Sequence, residues 1–416
     1  MLENTARNKT LTDQVSAWAN RFRSELTGNI LPFWTRHAVD RTNGGFYGAI
    51  ASDLTVQKEA ERSSVLNTRI LWTFSAAARL IDPAHRDMAG RAYDAVRSTF
   101  WDLDHGGLFW MTDHLGRPAS TRKQTYGQAF GIYALAEYHR ATGSAAALEL
   151  AQQLFALIEE HCRDPEHGGY IEARDRRWQA LEDMRLSAHD LNCPKSMNTH
   201  LHVLEGYANL MRVWSDPLLA ERQRDLIRIM LDRVIDRATG HLKLFFDAQW
   251  NSLGDHVSFG HDIETSWLLL EAAQVLGDAA LVARAKEAAQ LLAETALAQG
   301  LDADGSMFFA ADGVGALTDV TKHWWVQAEA VVGFYNAYQL GGGDRFLTAA
   351  QRAWDYIEEK VVDRLHGEWH AKLSREGVPL TEAEDPEAGL VGPWKCPYHN
   401  ARVCFEMLER LTPTEG

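Results

Sequence analysis

Six short stretches hold most of the side chains in this sequence that could do chemistry: "LNTR" at 66–69, "QTYGQ" at 124–128, "NTHLH" at 198–202, "HDIE" at 261–264, "KHWW" at 322–325 and "PYHN" at 397–400. Each lies where a helix rich in Ala, Leu, Val and aromatics begins, so its polar groups stand against an apolar background. A lone histidine at a helix start is ordinarily a cap or a satisfied polar residue, and Arg69 alone would read as half of an ion pair. Six such clusters at equivalent places in a repeat point instead to one shared site.

Three chemistries compete for these residues. A metal site would draw on His261 and Glu264, whose i, i+3 spacing puts both on one helix face, together with His202 or His399. His200 and His202, two residues apart, diverge on a helix. Neither HExxH nor a paired-glutamate pattern with ExxH occurs, so no bound metal is expected. Glycoside hydrolysis wants two carboxylates flanking a bond. Here Glu264 is firmly placed and Asp262 or Asp190 only loosely, against three or four histidines. That balance favours proton transfer near neutral pH, where imidazole serves as acid or base.

The elements that must position these groups show in a period. Glycine turns recur as "NGGFYG", "DHGGLFW", "EHGGYIEA", "TGHLKLFFD", "DGSMFFAAD" and "HGEWHAKL". Their first glycines, Gly44, Gly106, Gly168, Gly240, Gly305 and Gly367, are 62, 62, 72, 65 and 62 residues apart. Two helices fit between successive turns: 63–81 with 84–100, 124–142 with 145–162, 196–215 with 217–236, 261–276 with 279–299, and 323–340 with 343–361. Pro83 breaks the first pair. A helix near 11–36 opens the chain and one near 397–411 closes it. Twelve helices in six pairs, joined by short β-hairpins, predict an all-α (α/α)6 toroid, with 1–416 forming one domain and an open solenoid as the structural alternative. The first helix of each interval is apolar nearly all round and belongs to an inner ring. All six inner helices then start at one mouth, bordered by long loops at 174–195 and 374–395.

Bulk properties narrow the partners. Apolar residues make up 46% and charged residues 24%, as in an ordinary globular protein. The net charge of -15, with no basic block, argues against nucleic acid. No run of about 18 apolar residues appears, so no membrane span is expected. The polar N-terminus lacks the look of a signal peptide, and four cysteines without a CxxC pair suit free thiols in a cytoplasm. Monomer and dimer are both open.

The stretches "SSVLNTRILWTFSAAAR", "QTYGQAFGIYAL", "KSMNTHLHVLEGY", "FGHDIETSWLLLEA", "KHWWVQAEAVVGFYNAY" and "GPWKCPYHN" together resemble the N-acylglucosamine 2-epimerase superfamily, and within it the cellobiose 2-epimerases. The resemblance runs over almost the whole chain. It implies an (α/α)6 barrel and a cofactor-independent isomerase that epimerises sugars at carbon 2 through ring opening and a cis-enediolate. By that likeness His399 and His261 exchange the carbon-2 proton, and Glu264 orients His261. His202 assists ring opening, with His200 the less certain of that pair, and Arg69 stabilises the enediolate. Tyr126 and Asn198 would position hydroxyls. Trp394, with Trp324 or Trp325, would stack on a β-1,4-linked disaccharide such as cellobiose or lactose. Action on free mannose, as an epimerase or an aldose–ketose isomerase, is the nearest alternative. A sugar- or protein-binding toroid without turnover is the reading from another class, and the full proton-transfer set speaks against it.

Overall fold

Every residue from Ser64 to Ala78 is buried, whereas helix Ala145–His161 buries only the stripe Ala147, Ala151, Leu154, Phe155 and Ile158. A helix apolar on all sides must be enclosed; one with a single stripe needs only one covered face. The computed structural model describes residues 15–188 and 190–412, and these two kinds of helix alternate along them. The outer, striped set is α1 (15–37), α3 (86–100), α5 (Ala145–His161), α7 (217–234), α9 (279–300) and α11 (344–361). The inner, enclosed set is α2 (Ser64–Leu80), α4 (Thr125–Thr142), α6 (Met197–Met211), α8 (Phe259–Leu276), α10 (324–342) and α12 (Tyr398–Leu411). Each inner helix packs on the next, and α12 packs back on α2, so the ring closes and the open solenoid is excluded. Residues 11–14 of the expected opening helix lie outside the described residues. One buried hydrophobic cluster runs through the described chain from Trp18 to Leu411.

The glycine turns do more than reverse the chain. The strand leading into each inner helix pairs antiparallel with the exit of the following hairpin. Arg62–Ser63 pairs with Met111–Thr112, Lys123–Gln124 with Ala173–Arg174, and Lys322–His323 with Lys372–Leu373. Ile50 and Val391 exchange backbone hydrogen bonds of 3.0 and 3.2 Å, which joins the first repeat to the last. A ring of short sheets therefore stitches the six repeats together at the mouth.

Two repeated side-chain devices fix that ring. A basic residue just ahead of an inner helix pairs with the aspartate that opens its hairpin: Arg62–Asp40 at 2.6 Å, Lys123–Asp102 at 3.1 Å, Lys195–Asp164 at 2.7 Å and Lys322–Asp302 at 3.1 Å. Four residues after the helix cap, another polar side chain accepts the N–H of a hairpin residue. Gln128 takes Leu108, Gln327 takes Met307, His200 takes Tyr170 and Asp262 takes Leu242, at 2.7 to 2.9 Å. Buried backbone groups at a turn need such partners. Gly169 shows why glycine is required here: φ is +76°, and an added Cβ would sit 2.6 Å from His200 Nε2 and 2.4 Å from the Trp250 ring.

Candidate active site

The polar clusters occupy the first turns of the inner helices, so ring closure brings α2, α4, α6, α8, α10 and α12 together at one mouth. Three imidazoles there share one feature. His202 Nδ1 meets Glu205 Oε2 at 2.9 Å, His399 Nδ1 meets Glu329 Oε1 at 2.7 Å, and His261 Nδ1 meets Ser258 Oγ at 2.8 Å. None of the three Nε2 atoms has a hydrogen-bond partner among the described residues. Anchoring a ring at Nδ1 fixes its orientation and leaves Nε2 for chemistry. An ionised carboxylate only accepts, so Glu205 and Glu329 in that form favour the Nδ1–H tautomer of the two rings they anchor. The Ser258 hydroxyl can donate or accept, so His261 can present either a lone pair or an N–H.

One helical turn deeper lies a charged layer that closes the bore. Arg402, 1% exposed, donates from Nη1 to Glu205 and from Nη2 to Glu264 and to Glu329, the last at 2.7 Å. Tyr398 also donates to Glu205, and Trp267 Nε1 donates to Glu329 at 3.0 Å. Glu264, Glu329 and His399 converge closely enough to bracket a cation, their ligand atoms lying within 4.8 Å of one another. The Arg402 guanidinium already supplies that charge. Glu264, expected to orient His261, therefore faces Arg402 and lies 3.9 Å from His399 Nδ1 instead. On a helix the i+3 side chain sits below its neighbour, and here the strongest cation lies below.

Arg69 is the other buried cation. It is 3% exposed and forms no ion pair among the described residues. Nη2 donates to Tyr126 Oη at 2.8 Å, Nη1 lies 3.8 Å from Cys396 Sγ, and the guanidinium sits 4.3 Å from the Phe130 ring centre. Burial opposes its charge, yet with Tyr126, Cys396 and Tyr398 acting the other way its pKa lies above the usual value, and the guanidinium stays protonated. A buried cation without an anion is costly to a fold and suits a site where negative charge will develop.

The remaining expected contacts divide. Trp325 is half-buried and stands between two histidines, its ring 4.9 Å from His261 and 5.6 Å from His399. Trp324 is 5% exposed and packs edge-on to His399 beneath Lys395, so it supports the wall and offers no free face. Half-buried Trp394 stands 5.8 Å from Tyr126 and 5.9 Å from Trp110, an aromatic the motifs did not single out. The Oδ1 of Asn198 is buried without a partner among the described residues, as a group waiting for a hydroxyl would be. His200 is a correction. Its Nδ1 donates to the Ser196 carbonyl at 2.7 Å and its Nε2 accepts from Tyr170 N–H at 2.9 Å, so it has nothing left for a sugar. Asp262, weighed as a glycosidase acid, is likewise taken by His241 at 2.7 Å and by Leu242 N–H.

Burial pushes His261 down to about 3, with the neighbouring His202 adding to it. Burial, helped by Arg69 and Arg402, also lowers His202 and His399. All three imidazoles are therefore neutral at pH 7. A histidine held neutral by folding takes up its proton only when the chain unfolds, so its contribution to stability is complete above about pH 6.5 and is lost as the pH falls below that value. His261→Asn removes one such group. Relative to the variant, the parent protein is expected to lose about 1 kcal/mol between pH 7.5 and 5.5. Urea unfolding at the two pH values checks this; a difference that does not change with pH would show that His261 titrates normally.

Glu205, Glu329, Tyr398 and Arg402 escaped sequence reasoning. Three of them carried a signal: His202–Glu205 and His399–Arg402 repeat the i, i+3 spacing of His261–Glu264, and Glu329 is the one charged residue on its helix. A charge on an enclosed helix demands a partner.

Comparison with known proteins agrees with this architecture. Residues 45–390 match the N-acylglucosamine 2-epimerase (GlcNAc 2-epimerase) family. The chain is 44% identical to the cellobiose 2-epimerase of Bacteroides fragilis over 387 residues, covering 93% of this chain and 97% of the relative. It is 40% identical to the cellobiose 2-epimerase of Ruminococcus albus, covering 94% and 98%. The solved structure of cellobiose 2-epimerase from Bacillus thermoamylovorans B4167 superposes with a TM-score of 0.89 at 40% identity, covering 95% of this chain and all (100%) of that one. With the closed double ring of helices and a match over most of its length, this chain belongs to the N-acylglucosamine 2-epimerase family.

Proposed function

We propose that this chain is a sugar 2-epimerase acting on the glucose or mannose residue at the reducing end of β-1,4-linked disaccharides such as cellobiose. One observation carries the reading: imidazoles anchored at Nδ1, with Nε2 unpartnered among the described residues, share the mouth with a buried guanidinium that lacks a carboxylate. His202 takes part in opening the ring. One of His399 and His261, neutral in the sugar-free protein, removes the carbon-2 proton as a base, and the other delivers to the opposite face a proton that it takes up in the course of the reaction. The charge that gathers on the oxygens of the cis-enediolate falls to Arg69, aided by the positive ends of the inner helices. No step calls on a cofactor. The four cysteines are free and buried, and no helix among the described residues is long and apolar enough to cross a membrane, which suits work in the cytoplasm.

Incubation with cellobiose, lactose, glucose or mannose in heavy water tests the reaction and the substrate together. Epimerised disaccharide with deuterium at carbon 2 is the expected product. A ketose, or turnover of mannose alone, would replace the reading with its monosaccharide counterpart. Trp394→Ala is expected to lower kcat/KM for the disaccharide roughly twofold to tenfold more than for a monosaccharide, because a stacked ring away from the reacting carbon contributes about 0.5–1.5 kcal/mol of binding. Equal losses would put Trp394 beside the reacting sugar instead.

A further inference from the structure

We propose that Arg402 is a positioning residue that couples His202 and His399 across the bore, holding both in the tautomer that leaves Nε2 unprotonated. The part those imidazoles play in the reaction rests on the function proposed above; the coupling itself is a property of the sugar-free protein.

The connection is continuous and fully buried. Glu205 receives Arg402 Nη1 on Oε1 and faces His202 Nδ1 with Oε2. Glu329 Oε1 receives Arg402 Nη2 and faces His399 Nδ1. Five side chains, His202–Glu205–Arg402–Glu329–His399, thus run from α6 to α12 on opposite sides of the inner ring. The forked, planar guanidinium meets the two carboxylates from separate nitrogens in a fixed geometry, which the point charge of an ammonium does not reproduce. Glu264, from α8, shares Nη2, and burial together with the Glu329 charge pushes its pKa up. Arg402 and the His202 hydrogen bond, working against burial, hold Glu205 down to about 2. Arg69 from α2 adds a second positive charge above the layer, felt by both histidines.

The consequence concerns where protons sit. An ionised carboxylate can only accept, so it keeps the imidazole proton on Nδ1 and leaves Nε2 as a base. Without the guanidinium, three carboxylates crowded in one dry bore cannot all stay ionised. A protonated Glu205 or Glu329 donates to Nδ1, which moves the imidazole proton to Nε2 and blocks the base. Arg402 reaches His202 through Glu205 and His399 through Glu329, with its Nη2 also 3.4 Å from His399 Nδ1.

The test reads tautomers directly. In protein labelled with 15N-histidine and free of sugar, His202 and His399 are expected to be Nδ1–H at pH 7, assigned with His202→Asn and His399→Asn. Arg402→Met is expected to shift both together towards Nε2–H. His200, bonded to Ser196 and Tyr170, should stay Nδ1–H as an internal control. In the same variant kcat should fall roughly tenfold to a hundredfold with KM nearly unchanged. If Arg402→Met does not fold, Arg402→Lys decides: an ammonium lacks the fork and should release at least one of the two imidazoles. Both resonances unchanged in a folded Arg402 variant, or only one changed in Arg402→Met, overturns the proposal. Coupled tautomers in a protein that epimerises no sugar would sink the functional reading and leave the coupling; full epimerisation with unmoved tautomers would do the reverse.

Discussion

His261→Asn and His399→Asn are each expected to lower epimerisation by about a hundredfold to ten-thousandfold, the range for loss of a general acid–base group. The two losses should differ in kind. If the rings serve opposite faces of carbon 2, each variant retains one base. It should still exchange the carbon-2 hydrogen of one epimer with solvent and return that epimer unchanged, and the other variant should do so with the other epimer. Deuterium wash-in from both epimers with both variants is the measurement. Near parental epimerisation by either variant would hand its role to another group, His202 first. The variants should also differ in stability. His261 is half-buried and held by one hydroxyl, so its replacement should be mild apart from the pH effect described above. His399 is 5% exposed and fills a place in the charged layer. Its loss removes a partner of Glu329 and should cost about 1–3 kcal/mol. His399 is thus enclosed in the wall of the mouth, whereas His261 borders its open side.

Arg69→Met should separate activity from stability. If its charge serves the developing enediolate as proposed, its loss is expected to lower kcat by about a hundredfold to a thousandfold, as for other preorganised oxyanion donors. The folded protein should be as stable as before or more so, because an unpaired buried cation is replaced by an apolar side chain of similar length. Tyr126 would keep its hydroxyl near the mouth but lose its 2.8 Å donor. Steady-state kinetics and urea unfolding on one preparation decide the matter. A marked loss of stability with kcat preserved would make Arg69 a structural residue, and the enediolate would need another partner.

The placement of much of this candidate site was legible in the sequence. His202, His261, His399, Arg69, Tyr126 and Asn198 all occupy first turns of inner helices, and the repeat alone predicts that such turns share a mouth. Reading side-chain roles from spacing succeeded less evenly. His200 and His202 lie two residues apart on one helix, and the divergence that argued against shared chelation also separates their tasks: one clamps a hairpin, the other faces the bore. Nothing local distinguishes Trp324 from Trp325, because which of two adjacent rings turns inward depends on where Lys395 and His399 arrive from.

The amino-acid order set the helices, their pairing and their burial class, since the 3.6-residue period, the glycine turns and the breaks between them are local properties of the chain. It also determined that polar groups would meet at one mouth, because a regular repeat carries equivalent positions to equivalent places. Partner choice belonged to the tertiary structure. Glu264 is three residues from His261, yet it bonds Arg402, 138 residues away, and Arg402 in turn reaches Glu205 across 197 residues. In a dry bore each charge goes to the nearest opposite charge in space, whatever its distance in sequence, and only the closed ring decides which that is.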